Sequence, residues 1–203
     1  MMVVDKRGCL RQLKEASLEL GCGPRKRHPE AFGVDAMDYA GVDFVGDVFE
    51  VLEQIPNSSI RAVYSYHFFE HIGDIDRLMD LLSRVMSPEG HLHVVVPHFS
   101  NPYYYSDYTH QSLFGLYSFS YLARDRIHRR KVPTYNHKIS FELLKASLVF
   151  KSTPPFYGRH SLKRLQQFLF NMNRFTRELY EENLCYLCPC YEIEFLMKRL
   201  NTE

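Results

Sequence analysis

A short apolar run that breaks into a glycine turn constrains this chain more than any other feature. Residues 17–20 lead into the Gly-Cys-Gly turn at residues 21–23, and Pro24 follows. A buried parallel strand ends in this way when its backbone must approach a ligand, because glycine leaves room for the main chain. Proline suits the first turn of structure after such a strand. Glu19 therefore lies at the carboxyl end of the strand, where open α/β sheets bind ligands.

Three later segments also read as strands that end in polar side chains. Residues 32–35 end in Asp35, residues 42–47 end in Asp47, and residues 62–71 run into a turn rich in aromatic and histidine side chains. An acid after the second strand can accept hydrogen bonds from ribose hydroxyls. An acid after the third can accept from an adenine amino group. The order of glycine turn, acid, acid and aromatic turn is more specific than any one of its parts.

This order resembles the class I S-adenosylmethionine-dependent methyltransferases, in particular a small group whose fourth strand ends in His-x-x-Glu-His, here residues 67–71. The resemblance covers residues 16–110 well and the rest more loosely. It implies a Rossmann-like, doubly wound α/β fold with a mostly parallel seven-stranded sheet of order 3-2-1-4-5-7-6 and an antiparallel last strand. It also implies S-adenosylmethionine as the cofactor and S-adenosylhomocysteine as its product.

The resemblance implies a cofactor contact for each matching position. The first motif surrounds the methionine part of the cofactor, Asp35 binds the ribose, and Asp47 binds the adenine with Val48 beside it. Tyr66 and His67 follow the fourth strand and face cofactor and substrate. The implied cofactor residues are Glu19, Gly21, Cys22, Gly23, Asp35, Asp47, Val48, Tyr66 and His67.

One departure from the family pattern lies directly after the glycine turn. The segment between Gly23 and Asp35 is too short for a full crossover helix and a strand. We therefore expect about one helical turn or a basic loop at residues 24–30, either solvated or holding an anionic substrate. The same shortness leaves Asp38 as an alternative to Asp35.

Methyl transfer from a sulfonium is an in-line displacement that depends on positioning and requires no metal. A hydroxyl nucleophile is helped by a general base within hydrogen-bond reach, and imidazole has a suitable pKa. The first choice is His110, with Asp107 to orient its ring, and His67 is the further catalytic candidate. The candidate substrate residues are Tyr103, Tyr104, Tyr105 and His71. The alternatives are that the tyrosines only pack the loop and that His71 only joins a helix start to it.

The remaining pattern predicts helices and strands in alternation over a single domain of residues 1–203. A substrate insertion is expected at about residues 98–138 and a helical lid or packing insertion at about 160–185. The predicted helices are residues 5–15, 48–55, 74–87, 111–123 and 162–183. The predicted strands are residues 16–20, 32–35, 42–47, 60–66, 90–97, 139–151 and 191–200.

Composition and net charge limit the kinds of partner that this chain is expected to bind. A net charge of +1 argues against nucleic acid, and no apolar run is long enough to cross a bilayer or to serve as a signal peptide. We expect a cytoplasmic protein with reduced thiols and a small-molecule substrate. A homodimer is compatible with the sequence. The cluster Cys185-x-x-Cys188-x-Cys190 offers three zinc ligands and would need a distant fourth, such as His160 or Cys22. Pro189 and Tyr191 suggest instead that this segment simply leads into the last strand, so no metal is expected.

These features together predict a methyltransferase of a small acceptor. The loop after the fifth strand resembles that of enzymes acting on a hydroxyl of a saccharide or glycan precursor. The alternatives are methylation of a nitrogen or carboxylate on another small metabolite, and a non-catalytic S-adenosylmethionine-binding module that regulates a partner.

Overall fold

The computed structural model of the chain describes residues 3–133, 135, 139–152 and 155–201. The strands are β1 (Val4–Asp5), β2 (Ala16–Leu20), β3 (Phe32–Asp35), β4 (Phe44–Val45), β5 (Ile60–Tyr66), β6 (Met86–Pro97), β7 (Arg124–Asp125), β8 (Phe141–Val149) and β9 (Glu192–Arg199). The helices are α1 (Val48–Gln54), α2 (Ile75–Val85), α3 (Tyr157–Asn171) and α4 (Arg174–Leu179). Short 3-10 turns and one π turn complete the described structure.

All the described strands join one sheet of order β1-β4-β3-β2-β5-β6-β9-β8-β7. Neighbouring strands from β4 to β6 are parallel, whereas β9 runs antiparallel to both β6 and β8. Without the two-residue edge strands β1 and β7, the order is the predicted 3-2-1-4-5-7-6. The sheet class and its antiparallel last long strand are confirmed. The predicted count of seven strands is wrong, because β1 and β7 extend the two edges to nine.

One face of the sheet is apolar and carries the core. Leu18, Val63 and Leu92 point to this face and are fully buried in one cluster with residues of α1 and α2. Helix α2 begins where predicted, because the Asp74 carboxylate accepts the Arg77 backbone N–H at 3.0 Å. The crossover from β5 through α2 to β6 thus has the expected form, and it places the ends of these strands at one edge.

The opposite face is polar and is covered by a loop rather than a helix near β5. His28 from the loop at residues 24–31 stacks on Tyr64 with ring centroids 3.6 Å apart, and Arg27 lies 4.1 Å over the Tyr66 ring. The expected loop between the glycine turn and β3 is therefore present. It takes the position of a crossover helix on this face.

Two predicted helices are absent from the described structure. Residues 5–15 form β1 and a 3-10 turn, because the Asp5 carboxylate accepts the backbone N–H groups of Arg7, Gly8 and Leu10. Residues 111–123 contain only a short 3-10 turn, Ser118–Tyr121. The backbone N–H groups of Gln111 and Ser112 donate to the Glu70 carbonyl instead of to a helix. The insertion predicted for residues 98–138 is thus loop-rich, and Thr134 and residues 136–138 lie outside the description.

The predicted helical insertion is present, but its apolar stripe faces outward. Asn171 hydrogen-bonds the backbone N–H and carbonyl of Leu148, and Gln167 accepts the Phe150 N–H. Helix α3 therefore contacts the rest of the protein through these amides and through Phe170, whose ring lies 5.6 Å from that of Phe150, and none of its residues is buried. Exposed along the opposite side are Leu162, Leu165, Phe168, Leu169 and Met172. The stripe therefore does not pack against the rest of the described structure, as a packing helix would require.

Among the described helices, none combines the length and the hydropathy that spanning a membrane requires.

Candidate functional site

The candidate site is a row of strand ends along one edge of the sheet. Because β4, β3, β2, β5 and β6 are mutually parallel, their carboxyl ends meet at this edge in that order. The row therefore runs from Asp47 through Asp35 and the glycine turn to His67 and Pro97. Three of the sequence features that predicted a nucleotide cofactor are adjacent in space.

The glycine turn depends on Gly21 for a steric reason. Gly21 has φ +62°, and a Cβ at this position would lie 2.5 Å from a ring carbon of Phe68. Gly23 also has φ +58°, but it has open space around it. Phe68 was not predicted, because its contact joins the ends of two strands that are far apart in sequence. The bare backbone at Gly21 lets β2 and β5 end side by side.

The two predicted acids lie next to each other, on the side of the glycine turn where β3 and β4 end. Asp35 accepts the Gly23 N–H through Oδ2 at 2.8 Å and the Met37 N–H through Oδ1 at 2.9 Å. Gly46 donates its N–H to the Asp35 carbonyl, which brings the exposed Asp47 beside it. Asp47 caps α1 by accepting the Phe49 N–H at 2.9 Å. The alternative acid, Asp38, is exposed and pairs with Lys6 away from the turn.

Glu19 holds the loop that follows the turn. Its buried carboxylate accepts backbone N–H groups of Arg27 at 2.9 and 3.0 Å and of His28 at 2.8 Å. The Cys22 side chain is buried and packs against Gly33, and burial raises the pKa of its thiol to about 12. Its thiol is therefore neutral, and only its backbone borders the turn.

A second buried acid, Asp43, supports the turn and was missed by sequence reasoning. It accepts from Lys26 Nζ at 2.7 Å, from the Gly33 N–H at 2.8 Å and from Arg7 Nε at 2.6 Å. Burial alone would raise the pKa of Asp43, but these three donors outweigh it and hold the pKa below its usual range. Lys26 stands where a third glycine would stand in a nicotinamide fingerprint, and it anchors the loop.

Tyr66 and His67 diverge at the end of β5. The Tyr66 hydroxyl lies 2.9 Å from His28 Nε2 and 3.2 Å from His93 Nδ1, under the loop on the polar face. His67 has φ +53°, and its side chain reaches Glu192 of β9. Its Nε2 lies 3.1 Å from Glu192 Oε2, and its Nδ1 lies 3.4 Å from Glu70 Oε1.

The two carboxylates keep His67 charged. Hydrogen bonds to Glu192 and then Glu70 raise the pKa of His67 to about 9, against the opposing effect of burial. The imidazolium therefore predominates at neutral pH and has no lone pair to accept a proton. Glu192, which begins β9, also binds Lys151. No spacing in the sequence indicated this partner.

A pocket of about 220 Å³ lies beyond His67 at the ends of β5 and β6. The sequence-predicted residues that line it are His67, His71, Tyr103, Tyr104, Asp107 and His110. The Glu70 carbonyl accepts the backbone N–H groups of residues 111 and 112, so the loop after β6 folds back over the turn that follows β5. Six predicted side chains from two distant segments thus meet in one pocket.

Two histidines in this pocket have defined hydrogen-bond partners. His110 Nδ1 lies 2.9 Å from the Tyr104 carbonyl, which can only accept, so Nδ1 carries the hydrogen. Thr109 Oγ1 donates to Asp107 Oδ1 at 2.6 Å and is 3.0 Å from His71 Nδ1, so it accepts from that nitrogen. Asp107 Oδ2 is 3.6 Å from His110 Nε2, beyond a direct hydrogen bond. The Tyr104 carbonyl, rather than Asp107, fixes the ring of His110.

The three neighbouring tyrosines do not form one wall. Tyr103 and Tyr104 line the pocket, and the Tyr104 ring lies 4.6 Å from that of His110. The Tyr105 hydroxyl donates to the Phe99 carbonyl, and its ring borders a separate cavity of about 610 Å³. Of the three tyrosines named as candidate substrate residues, two therefore line this pocket and the third borders another cavity.

The cysteine cluster has the character of buried core. Cys185 and Cys190 are buried, and Cys190 Sγ donates to the Val149 and Glu192 carbonyls. In the part of the chain that the structure describes, the one group of three or more side chains with metal-ligand spacing is Glu70, His71 and His110.

Known protein families and curated proteins give no match to this sequence. Solved structures do match. A SAM-dependent methyltransferase from Archaeoglobus fulgidus aligns with TM-score 0.57 and 15% identity over 95% of this chain and 89% of that one. The Haloferax volcanii complex between the Trm112 methyltransferase activator and a methyltransferase gives TM-score 0.54 and 11% identity over 98% and 89%.

A third match has a bound cofactor. Phosphoethanolamine N-methyltransferase 2 of Haemonchus contortus, in complex with S-adenosyl-L-methionine, aligns with TM-score 0.51 and 14% identity over 94% of this chain and 49% of that one. At such identities the likeness concerns the fold. The chain therefore shares the fold of S-adenosylmethionine-dependent methyltransferases.

Proposed function

We propose that the chain is an S-adenosylmethionine-dependent methyltransferase that acts on a small acceptor. The observation that carries this proposal is the row of Asp47, Asp35 and the glycine turn along one sheet edge, with the polar pocket of about 220 Å³ next to it. The fold shared with methyltransferases supports it. In this arrangement Asp35 accepts from the ribose, Asp47 from the adenine amino group, and the Gly21–Gly23 backbone lies along the methionine part.

The residues have distinct roles in the proposed cofactor site. Glu19 shapes the loop with its carboxylate, and Cys22 contributes its backbone, because its thiol is buried. Val48 is buried at the start of α1, beside the adenine position. Tyr66 supports the loop, whereas His67 turns toward the pocket as a charged anchor.

The acceptor would enter the pocket of His71, Tyr103, Tyr104 and His110. During transfer, the acceptor oxygen forms a bond to the methyl carbon as the carbon–sulfur bond breaks, and the hydroxyl proton leaves. His110 Nε2 is the proposed acceptor of that proton, because Nδ1 already donates to the Tyr104 carbonyl. A hydroxyl of a saccharide or glycan precursor suits a pocket of aromatic and polar side chains. A nitrogen or carboxylate acceptor is the alternative, and one of the similar structures is that of a phosphoethanolamine N-methyltransferase.

A non-catalytic regulatory module is the alternative of a different class, and a protein partner is compatible with the match to a methyltransferase complex. We propose one domain that works in the cytoplasm, and a homodimer remains compatible with the sequence.

Isothermal titration with S-adenosylhomocysteine and a coupled assay for its release separate the classes. An enzyme should bind S-adenosylhomocysteine. It should also convert S-adenosylmethionine to S-adenosylhomocysteine when a pool of sugars, nucleotide sugars or glycan precursors is added. Binding without turnover on hydroxyl, amine or carboxylate pools would favour the regulatory module. Unchanged turnover in His110→Ala would contradict the assigned base.

A further inference from the structure

We propose that Glu70, His71 and His110 form a binding site for a divalent transition-metal ion. Their ligand atoms all lie within 4.8 Å of one another, in the pocket beside the proposed cofactor site. Two histidines and one carboxylate on the same side of a pocket form a donor set that suits Fe²⁺, Mn²⁺, Co²⁺ or Zn²⁺. Binding would draw the three side chains slightly closer, to about 2 Å from the ion.

An orphaned carboxylate oxygen gives independent support. Glu70 is 1% exposed, and its Oε2 has no hydrogen-bond partner among the described residues. A buried carboxylate oxygen without a donor is costly, because it loses water and gains nothing in return. A cation between Glu70 and the two histidines would supply the missing interaction. Glu70 Oε1 is already held by His67, which fixes the direction of Oε2.

His71 and His110 have the same tautomer, with the hydrogen on Nδ1. His110 donates its Nδ1–H to the Tyr104 carbonyl, and His71 donates its Nδ1–H to Thr109 Oγ1, which in turn donates to Asp107. In each ring Nε2 therefore carries the lone pair that a metal ion needs. Metal-bound histidines in proteins commonly donate their other ring nitrogen to a carbonyl or to a carboxylate-linked group. This chain already has both arrangements.

The chemistry of the site follows from these donors. A bound ion would lower the pKa of a coordinated acceptor hydroxyl, so its proton could pass to solvent water without a protein base. His110 Nε2 cannot do both at once, so its role as the base belongs to the metal-free protein and its role as a ligand to the metal-bound protein. This part of the inference rests on the proposed function, whereas metal binding itself does not.

Titration of chelator-treated protein with Co²⁺, followed by absorption spectroscopy and calorimetry, tests the site. We expect one ion per chain and a visible spectrum of nitrogen and oxygen ligation. His71→Gln and His110→Gln should each weaken binding by at least about 100-fold, and Thr109→Val, which removes the partner of His71 Nδ1, by about 10- to 100-fold. His91→Gln, at an exposed histidine outside the pocket, is the matched control and should bind normally.

Three outcomes would overturn the metal site. These are no binding to the wild type, equal binding by the wild type and both histidine variants, and a strong thiolate charge-transfer band that marks the cysteine cluster instead. Titration of the metal-free protein with S-adenosylhomocysteine keeps the two proposals distinguishable. Cofactor binding should persist without metal, because the residues of the two sites do not overlap.

A second inference comes from α3. Its outward side carries Leu162, Leu165, Phe168, Leu169 and Met172, at 42–67% exposure. Residues 151–177 contain six lysines and arginines and no acid. Arg159 and Arg164 are exposed on the flanks of the stripe. Arg164 and Phe168 also line a groove of about 540 Å³, in which Lys145 lies 3.9 Å from the carboxylate of Glu194.

We infer that this face of α3 docks on an anionic lipid bilayer. A helix with an apolar side and basic flanks lies in the membrane interface, where the cations meet lipid phosphates and the apolar side chains enter the acyl region. A second copy of the chain is a poorer occupant, because a two-fold contact would bring the arginines of both copies together. A protein partner would need acids that match these cations.

Co-sedimentation with vesicles of phosphatidylglycerol and phosphatidylcholine tests this surface. We expect binding that is lost with phosphatidylcholine alone, weakens about fivefold in Arg164→Gln, and falls at least tenfold in Leu165→Ala/Phe168→Ala. Tyr108→Ala, at a residue 96% exposed elsewhere, should bind as the wild type does. Equal sedimentation of all variants, no sedimentation of the wild type, or a stable dimer in light scattering that Phe168→Ala dissociates would overturn the inference.

Discussion

Replacing Gly21 by alanine tests the steric argument for the glycine turn. Two costs add at this position. An L-residue at φ +62° costs about 1–2 kcal/mol, and a new Cβ at 2.5–2.7 Å from Cβ, Cγ and Cδ2 of Phe68 costs about 1–3 kcal/mol more. These Phe68 atoms belong to the stiff base of a side chain, so they cannot rotate away easily. We expect a total loss of about 3 kcal/mol in the free energy of unfolding.

Gly23 is the matched control within the same turn. It has φ +58° and no atom within 4 Å of a new Cβ, so Gly23→Ala should show the backbone cost alone. The difference between the two variants, about 2 kcal/mol, then belongs to Phe68. Urea unfolding followed by circular dichroism measures both, with the midpoints compared at a common slope.

A double-mutant cycle assigns the difference to its cause. In Gly21→Ala/Phe68→Ala the new methyl group no longer meets the ring, so the two losses should fall short of additivity by about 2 kcal/mol. Equal stability of Gly21→Ala and Gly23→Ala, or additivity within about 0.5 kcal/mol, would refute the close packing of Phe68 on the turn.

Two further predictions concern charged groups. In chelator-treated protein, NMR titration of His67 should give a pKa of about 9. Glu192→Gln should lower this pKa toward the ordinary value, because Glu192 contributes more to the shift than Glu70 does. An ordinary pKa in the wild type would contradict the ion pairs. Asp43→Asn should cost about 3 kcal/mol of stability at neutral pH, because Lys26 loses its buried partner. Because the pKa of Asp43 is lowered by folding, this difference should be full above about pH 5 and shrink as the pH falls through and below about 4; a penalty independent of pH would contradict this.

The sequence predicted what local chemistry dictates. The strands around the glycine turn, the start of α2 at Asp74 and the loop replacing a crossover helix all follow from nearby residues. The sheet order followed from the resemblance, and only its two short edge strands were missed.

The errors arise where distant partners decide the structure. Residues 111 and 112 give their backbone N–H groups to Glu70, so the apolar spacing there does not become a helix. The stripe on α3 has a helical period, but the period alone does not say which side meets the sheet. The side that meets it carries the amides of Gln167 and Asn171 and the ring of Phe170. Glu192 reaches His67 from 125 positions away, which no spacing rule detects.

Binding of S-adenosylhomocysteine to Asp35→Asn, measured by calorimetry beside Asp38→Asn, tests the central claim most directly. Asp35 lies at the glycine turn, where the proposed site binds the ribose, whereas Asp38 is exposed and pairs with Lys6. Loss of a charged hydrogen-bond acceptor should weaken binding about 10- to 100-fold in Asp35→Asn, with Asp38→Asn unchanged. Wild-type affinity in Asp35→Asn, or a loss confined to Asp38→Asn, would contradict a nucleoside held at the end of β3.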